Sequence, residues 1–229
     1  MAKGLVVNII EYADREMLAM NVADKLASEL KACLLVHETA SFAVPGGTTP
    51  GPIFDLLNGT DIEWDRVHVM LTDERWVPQD HAQSNAGLIR ERLLVNDAAA
   101  ATFVPFYQPG LDPSEGSAQV AKGLKDELPI SVLMLGMGAD MHTASLFPGA
   151  EGLDAALAGN APLLCPIQPK GHDIARVTLP GHVLQGAMAK HLVIFGTDKR
   201  DALERARSLP PEQAPIATVL HDTEIHWAE

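Results

Sequence analysis

Leu5-Val-Val-Asn-Ile-Ile10 runs, across Glu11-Tyr-Ala13, into Asp14-Arg-Glu-Met-Leu-Ala-Met-Asn-Val-Ala-Asp-Lys-Leu-Ala-Ser-Glu-Leu-Lys-Ala32. The first segment is a short apolar run of the kind that forms a buried strand. In the second, Leu18, Val22, Leu26 and Leu30 recur at the spacing that places them on one helical face. Strand followed by helix is the unit of α/β architecture, and the rest of the chain repeats it. Strands are predicted at Ser41–Val44, Val67–Leu71, Thr102–Phe106, Val132–Leu135, Arg176–Leu179 and His191–Phe195. The clearest helices lie at Ser84–Val95, Pro113–Leu128 and Asp198–Ser208. Such alternation predicts a mainly parallel sheet covered by helices on both faces. The 229 residues, 47% hydrophobic, suit one domain spanning 1–229. Patches rich in Pro and Gly at Pro45–Pro52, Gly149–Gly159 and Leu209–Pro215 read as loops within that domain.

A formal net charge of -13 argues against a nucleic-acid surface or an anionic membrane as partner, so an anionic ligand needs a local positive site. Glu11 interrupts the first apolar run before a signal-peptide core forms, and no segment reaches the ~18 apolar residues of a membrane span. Cys33 and Cys165 stand in unrelated contexts, and the nine histidines show no HExxH spacing. The expectation is a cytoplasmic chain with no metal and no cofactor.

Ligands of open parallel sheets bind at the carboxyl ends of strands, which directs attention to four loops. In Val44-Pro-Gly46-Gly47-Thr48-Thr49-Pro50, paired glycines let backbone N–H groups approach a phosphate. Thr48 or Thr49 suits a helix N-cap, and Pro50 the first helical position; the plainer alternative is an ordinary tight turn. Leu71-Thr-Asp73-Glu74-Arg75-Trp76 carries an arginine able to grip phosphate or carboxylate and an acid able to hold a sugar hydroxyl or accept a proton, unless Arg75 merely pairs with Asp73 or Glu74. Leu135-Gly136-Met-Gly138-Ala-Asp140-Met141-His142-Thr-Ala-Ser-Leu-Phe-Pro-Gly149 leaves a strand through two glycines and sets an acid two residues before a candidate general base, His142. A dinucleotide fingerprint is excluded there, because Met141 stands where the third glycine is needed. Finally, Arg176-Val-Thr178 and Gly196-Thr197-Asp198-Lys199 offer two more cations. Thr197 suits an N-cap with Lys199 in the first turn, where bound phosphate would offset its unfavourable position; alternatively Asp198 and Asp201 neutralise it.

Taken in order from Gly46 to Lys199, these loops resemble the 6-phosphogluconolactonase family, part of a larger group that includes glucosamine-6-phosphate deaminases. The family's Ser-Gly-Gly-Ser-Thr-Pro loop matches Pro45–Pro50, and its Asp-Glu-Arg followed by Ser-Asn matches Asp73–Arg75 with Ser84 and Asn85. Its Asp-Gly-His-Thr-Ala-Ser-Leu-Phe-Pro-Gly segment matches Asp140–Gly149. Its Arg-x-Thr strand and late Gly-x-x-Lys match Arg176–Thr178 and Gly196–Lys199. Pro45 replaces the usual serine, and Met141 the usual glycine. The resemblance implies a Rossmann-like three-layer α/β fold, monomeric or a small homo-oligomer. It implies hydrolysis of the phosphosugar lactone 6-phospho-D-glucono-1,5-lactone to 6-phospho-D-gluconate in the oxidative pentose phosphate pathway. His142 would act on water with Asp140 orienting it, while Gly46, Gly47, Thr48, Thr49, Asp73, Arg75, Asn85, Gly138, Arg176 and Lys199 would bind substrate. A deaminase would carry a glutamate after the histidine, where this chain has Ser145-Leu146-Phe147, and a tyrosine at Arg75. A non-catalytic phosphosugar sensor would need neither Asp140 nor His142.

Overall fold

The computed structural model describes residues 8–229. Ten strands and seven α-helices alternate through it. The strands are β1 (Ile9–Glu11), β2 (Ala40–Val44), β3 (Val67–Leu71), β4 (Asp73–Arg75), β5 (Thr102–Val104), β6 (Val132–Gly136), β7 (Cys165–Ile167), β8 (Arg176–Thr178), β9 (Ala189–Phe195) and β10 (Glu224–Ala228). The helices are α1 (Arg15–Leu34), α2 (Gly51–Leu57), α3 (Asn85–Arg92), α4 (Pro113–Leu124), α5 (Leu153–Leu157), α6 (Gly181–Gln185) and α7 (Thr197–Ala206). Seven strands form one sheet in the order β1-β10-β9-β6-β2-β3-β5, every neighbouring pair parallel. This is the mainly parallel, helix-flanked α/β sheet that the alternation predicts.

α1 forms where the leucine spacing places it. The Asp14 carboxylate accepts from Met17 N at 2.7 Å and closes its first turn, a cap worth ~1 kcal/mol. Leu18, Val22, Leu26 and Leu30 are fully buried, each contributing roughly 1.5–3 kcal/mol of burial. Of the predicted strand Leu5–Ile10, residues 5–7 lie outside the described residues, and the strand's described part runs on to Glu11.

Two predictions need correction. Arg176–Leu179 does not join the parallel sheet. As β8 it pairs antiparallel with β4 and β7 in a second, three-stranded sheet, Arg176 opposite Arg75 and Thr178 opposite Asp73. Strands carrying these charges cannot sit in a sheet buried on both faces. The stretch Gly149–Gly159, expected as loop, contains the short helix α5. β10 was not predicted at all, because its Glu-Ile-His-Trp-Ala stretch carries a glutamate and a histidine and presents no apolar run.

Where α1 crosses β9 and β10, a polar network is enclosed. Tyr12 Oη lies 2.9 Å from His226 Nδ1, His226 Nε2 3.1 Å from His191 Nδ1, and His191 Nε2 2.6 Å from Glu29. Burial first, then repulsion from His191, pulls His226 down to about 4 from its ordinary 6.5, against a weaker opposing pull from Glu224. The folded chain therefore resists protonation of this ring until about pH 4, whereas the unfolded chain takes the proton near 6.5. Stability present above the upper value is lost as pH falls through this window. His226→Gln removes that titration. Urea unfolding followed from neutral to acid pH should show a flatter decline for the variant than for the wild type, and equal slopes would refute the assignment.

Candidate active site

A cleft of about 250 Å³ opens at the carboxyl ends of β2, β6 and β9, with the small sheet forming its far wall. Gly46, Gly47, Thr48, Thr49, Asp73, Arg75, Asn85, Gly138, His142, Arg176 and Lys199 all line it. Asp140 stands behind His142, hydrogen-bonded to it rather than facing the cleft.

The loop after β2 is shaped by two glycines. A Cβ at Gly46 would lie 1.9 Å from Asn85 Oδ1, and Gly47 takes φ 88°, a left-handed conformation. The N–H groups of Gly46, Gly47, Thr48 and Thr49 donate to no backbone acceptor among the described residues. The predicted cap is different: Pro50 itself holds the cap position without a side-chain bond, and α2 starts at Gly51. Thr48 and Thr49 are thus left as cleft wall, and the polar groups this loop turns to the cleft are loop N–H groups rather than a capped helix terminus.

The loop after β6 places the imidazole. His142 Nδ1 and Asp140 Oδ1 are 2.5 Å apart, and His142 N also donates to that oxygen at 3.3 Å. The bond to His142 is the main reason the Asp140 carboxyl lies below its ordinary range, which keeps it ionised and able to accept Nδ1–H. Gly138 makes this possible, since a Cβ there would meet His142 Nδ1 at 2.2 Å and Asp140 Oδ1 at 2.5 Å. Met141 does adopt positive φ, 67°, where the family has glycine, at a cost of roughly 1–2 kcal/mol. Two hydrogen bonds hold it there: Met141 N donates to Gly138 O at 2.9 Å, and Ile216 N to Met141 O at 3.1 Å. The imidazole stacks on Phe147, centroids 4.1 Å apart and planes 25° apart.

The cations converge from three elements. The Arg75 guanidinium pairs with neither Asp73 nor Glu74 among the described residues. It donates to Asn85 Oδ1 at 2.6 Å and to Gln83 O at 3.0 Å. Glu74 turns inward, fully buried, and accepts from Arg75 N, Asn85 N, Ala86 N and Ser84 Oγ at 2.7–3.1 Å. Burial raises its carboxyl against the lowering effect of these backbone N–H groups. Arg176 lies 5.0 Å over the Phe147 ring and 4.0 Å from the buried Asp73. Asp73 in turn accepts from Ser145 Oγ at 2.5 Å and from Thr72 Oγ1 at 3.2 Å. The Nε atoms of Arg75 and Arg176 are buried and have no partner among the described residues.

Lys199 reaches the cleft from the first turn of α7, but the cap is Gly196, at φ 85°. Thr197, predicted as cap, is the first helical residue, and its hydroxyl donates to Glu229 at 2.8 Å. Neither Asp198 nor Asp201 pairs with Lys199 among the described residues. Burial and then Arg15 press its ammonium below the ordinary lysine range, the condition of a cation that lacks an anion. Sequence reading missed Phe147, Ser145 and Glu74 as supports. All three lie inside the quoted motifs, but their roles depend on side-chain direction, which spacing does not carry.

Fold and cleft together define an α/β protein with a charged cleft built from loops at the sheet's carboxyl edge. The chain belongs to the family described as glucosamine-6-phosphate isomerases/6-phosphogluconolactonase, whose model matches residues 13–227. It is 38% identical over 213 residues to a 6-phosphogluconolactonase of Pseudomonas aeruginosa, covering 91% of this chain and 90% of that one. It is 36% identical to one of Rhizobium meliloti, covering 96% and 98%. A crystal structure of a 6-phosphogluconolactonase from Shewanella baltica superposes with TM-score 0.94 at 30% identity over 98% of both chains.

The Gly138 contacts carry a prediction. Gly138→Ala should keep the fold and the melting temperature nearly intact while lowering turnover at least ~10-fold, because a 1 Å misplacement of a reacting group alone costs as much or more. Unchanged turnover would show that the Asp140–His142 pair need not be this close.

Proposed function

We propose that the chain hydrolyses 6-phospho-D-glucono-1,5-lactone to 6-phospho-D-gluconate, the lactone-opening step of the oxidative pentose phosphate pathway, with His142 as general base. The observation that carries this is the 2.5 Å pairing of His142 Nδ1 with an ionised Asp140 beside a cleft holding Arg75, Arg176 and Lys199. With Nδ1–H bonded to Asp140, the lone pair is on Nε2, which takes a proton from water. The resulting hydroxide adds to the lactone C1, and charge grows on the carbonyl oxygen, where N–H groups of the glycine loops are suited to receive it. Collapse of this intermediate breaks the bond between C1 and the ring oxygen, and the imidazolium returns its proton to that oxygen. The phosphate is held by Arg75, Arg176 and Lys199, while Asp73 and Asn85 order the sugar and the guanidiniums around it. An ester is labile enough in water that a general base suffices for the step.

The deaminase alternative asks for a second acid after the histidine. Here that place is taken by Ser145, which donates to Asp73, and by Phe147, on which His142 stacks. The same reading takes residues 1–229 as one domain at work in the cytoplasm. Cys33 and Cys165 are free, and burial raises the Cys165 thiol to about 11, so it is a packed, unreactive group.

Fresh lactone followed by NMR near neutral pH, against a no-enzyme control, tests the reaction. The wild type should outpace the blank, and His142→Ala should fall at least ~100-fold. Lys199→Ala should mainly raise KM, by roughly 10–100-fold, the value of a charge-assisted bond. A wild-type rate equal to the blank, with thermal stabilisation by 6-phosphogluconate, would instead indicate a sensor. Turnover of glucosamine 6-phosphate would indicate a deaminase.

A further inference from the structure

The network beneath α1 lies apart from the cleft, and none of its members lines it. His191 on β9 and His226 on β10 come from adjacent parallel strands, with Glu224 directly opposite His191 in the register. His191 Nδ1 and His226 Nε2 are 3.1 Å apart, and Glu224 Oε2 is 4.0 Å from each. A point equidistant from these three atoms lies about 2.2 Å from each, the distance at which zinc holds imidazole nitrogen and carboxylate oxygen.

The other polar atom of each group already has a partner. His191 Nε2 is 2.6 Å from Glu29 Oε2, His226 Nδ1 is 2.9 Å from Tyr12 Oη, and Lys25 Nζ donates to Glu224 Oε1 at 2.9 Å. Outer partners of this kind fix the tautomer and direction of metal ligands, the carboxylate behind a ligating histidine above all. Both imidazoles are buried, whereas the Glu224 side chain is 41% exposed, which provides an entry path and room for a water as fourth ligand. The ligands come from two strands 35 residues apart, so no sequence spacing of the HExxH kind reveals them.

We propose that His191, His226 and Glu224 bind a divalent ion of the zinc type, at a site that fastens α1 to β9 and β10 and takes no part in hydrolysis. Two nitrogens and one carboxylate oxygen are a donor set that suits zinc better than calcium or magnesium. Without the ion, the same atoms form a directed chain. Tyr12 donates to His226, His226 Nε2–H to His191, and His191 Nε2–H to Glu29. Binding moves the His226 proton from Nε2 to Nδ1, and the Tyr12 oxygen then accepts instead of donating.

Zn²⁺ alone, titrated into the chelator-treated full chain by calorimetry, tests this. One ion per chain should bind with micromolar or tighter Kd, and at about 100 times Kd the Tm should rise by roughly 5 °C or more. Glu224→Gln, at a partly exposed position, should weaken binding at least ~10-fold with an unchanged circular dichroism spectrum. His226→Gln should abolish it, while His142→Ala should leave it intact. Absence of binding to the wild type overturns the proposal, as does binding that survives Glu224→Gln unchanged or disappears with His142→Ala.

Discussion

A parallel sheet covered on both faces has no wet side, and that constraint arranges the rest of this molecule. Side chains between β9 and β3 must be apolar or fully satisfied, as the unbroken burial of β2, at the middle of these strands, shows. Polar chemistry is thereby pushed to the strand ends. At the carboxyl ends of β2, β6 and β9 the chain turns outward through glycines, and the cleft forms between those turns. The charged segments that the sheet cannot admit, Asp73–Arg75 and Arg176–Thr178, pair with each other and become the cleft's far wall.

The same constraint decides what the sequence reveals. Mostly apolar runs next to a helical period were legible: β2, β3, β6 and β9 lie where the sequence places them, and α1 begins where Asp14 caps it. Short elements were not. β7, α5 and α6 offer three to five residues, too few for a period to stand out, and β10 carries a glutamate and a histidine among its five. The caps at Thr48, Thr49 and Thr197 were misplaced for another reason. A hydroxyl beside a helix start is compatible with capping, but the backbone conformation chooses, and it chose Pro50 and Gly196.

The residues that line the cleft were more legible than the elements that hold them, because four loops in one order restrict the possibilities far more than any single loop. Their support was not legible. Glu74 accepts four hydrogen bonds at the start of α3 and so fixes Asn85, which in turn holds Arg75. Nothing in Asp-Glu-Arg says which acid faces inward. Met141 shows the converse: its departure from glycine was visible at once, yet that its backbone keeps the left-handed conformation is seen only in the folded loop.

Phe147 stacks against His142 and also carries the Arg176 guanidinium over its ring. The imidazole and the guanidinium therefore share a single aromatic spacer. A tilt of that ring displaces both at once, so the placement of these two side chains is set by one rigid part rather than by two independent loops.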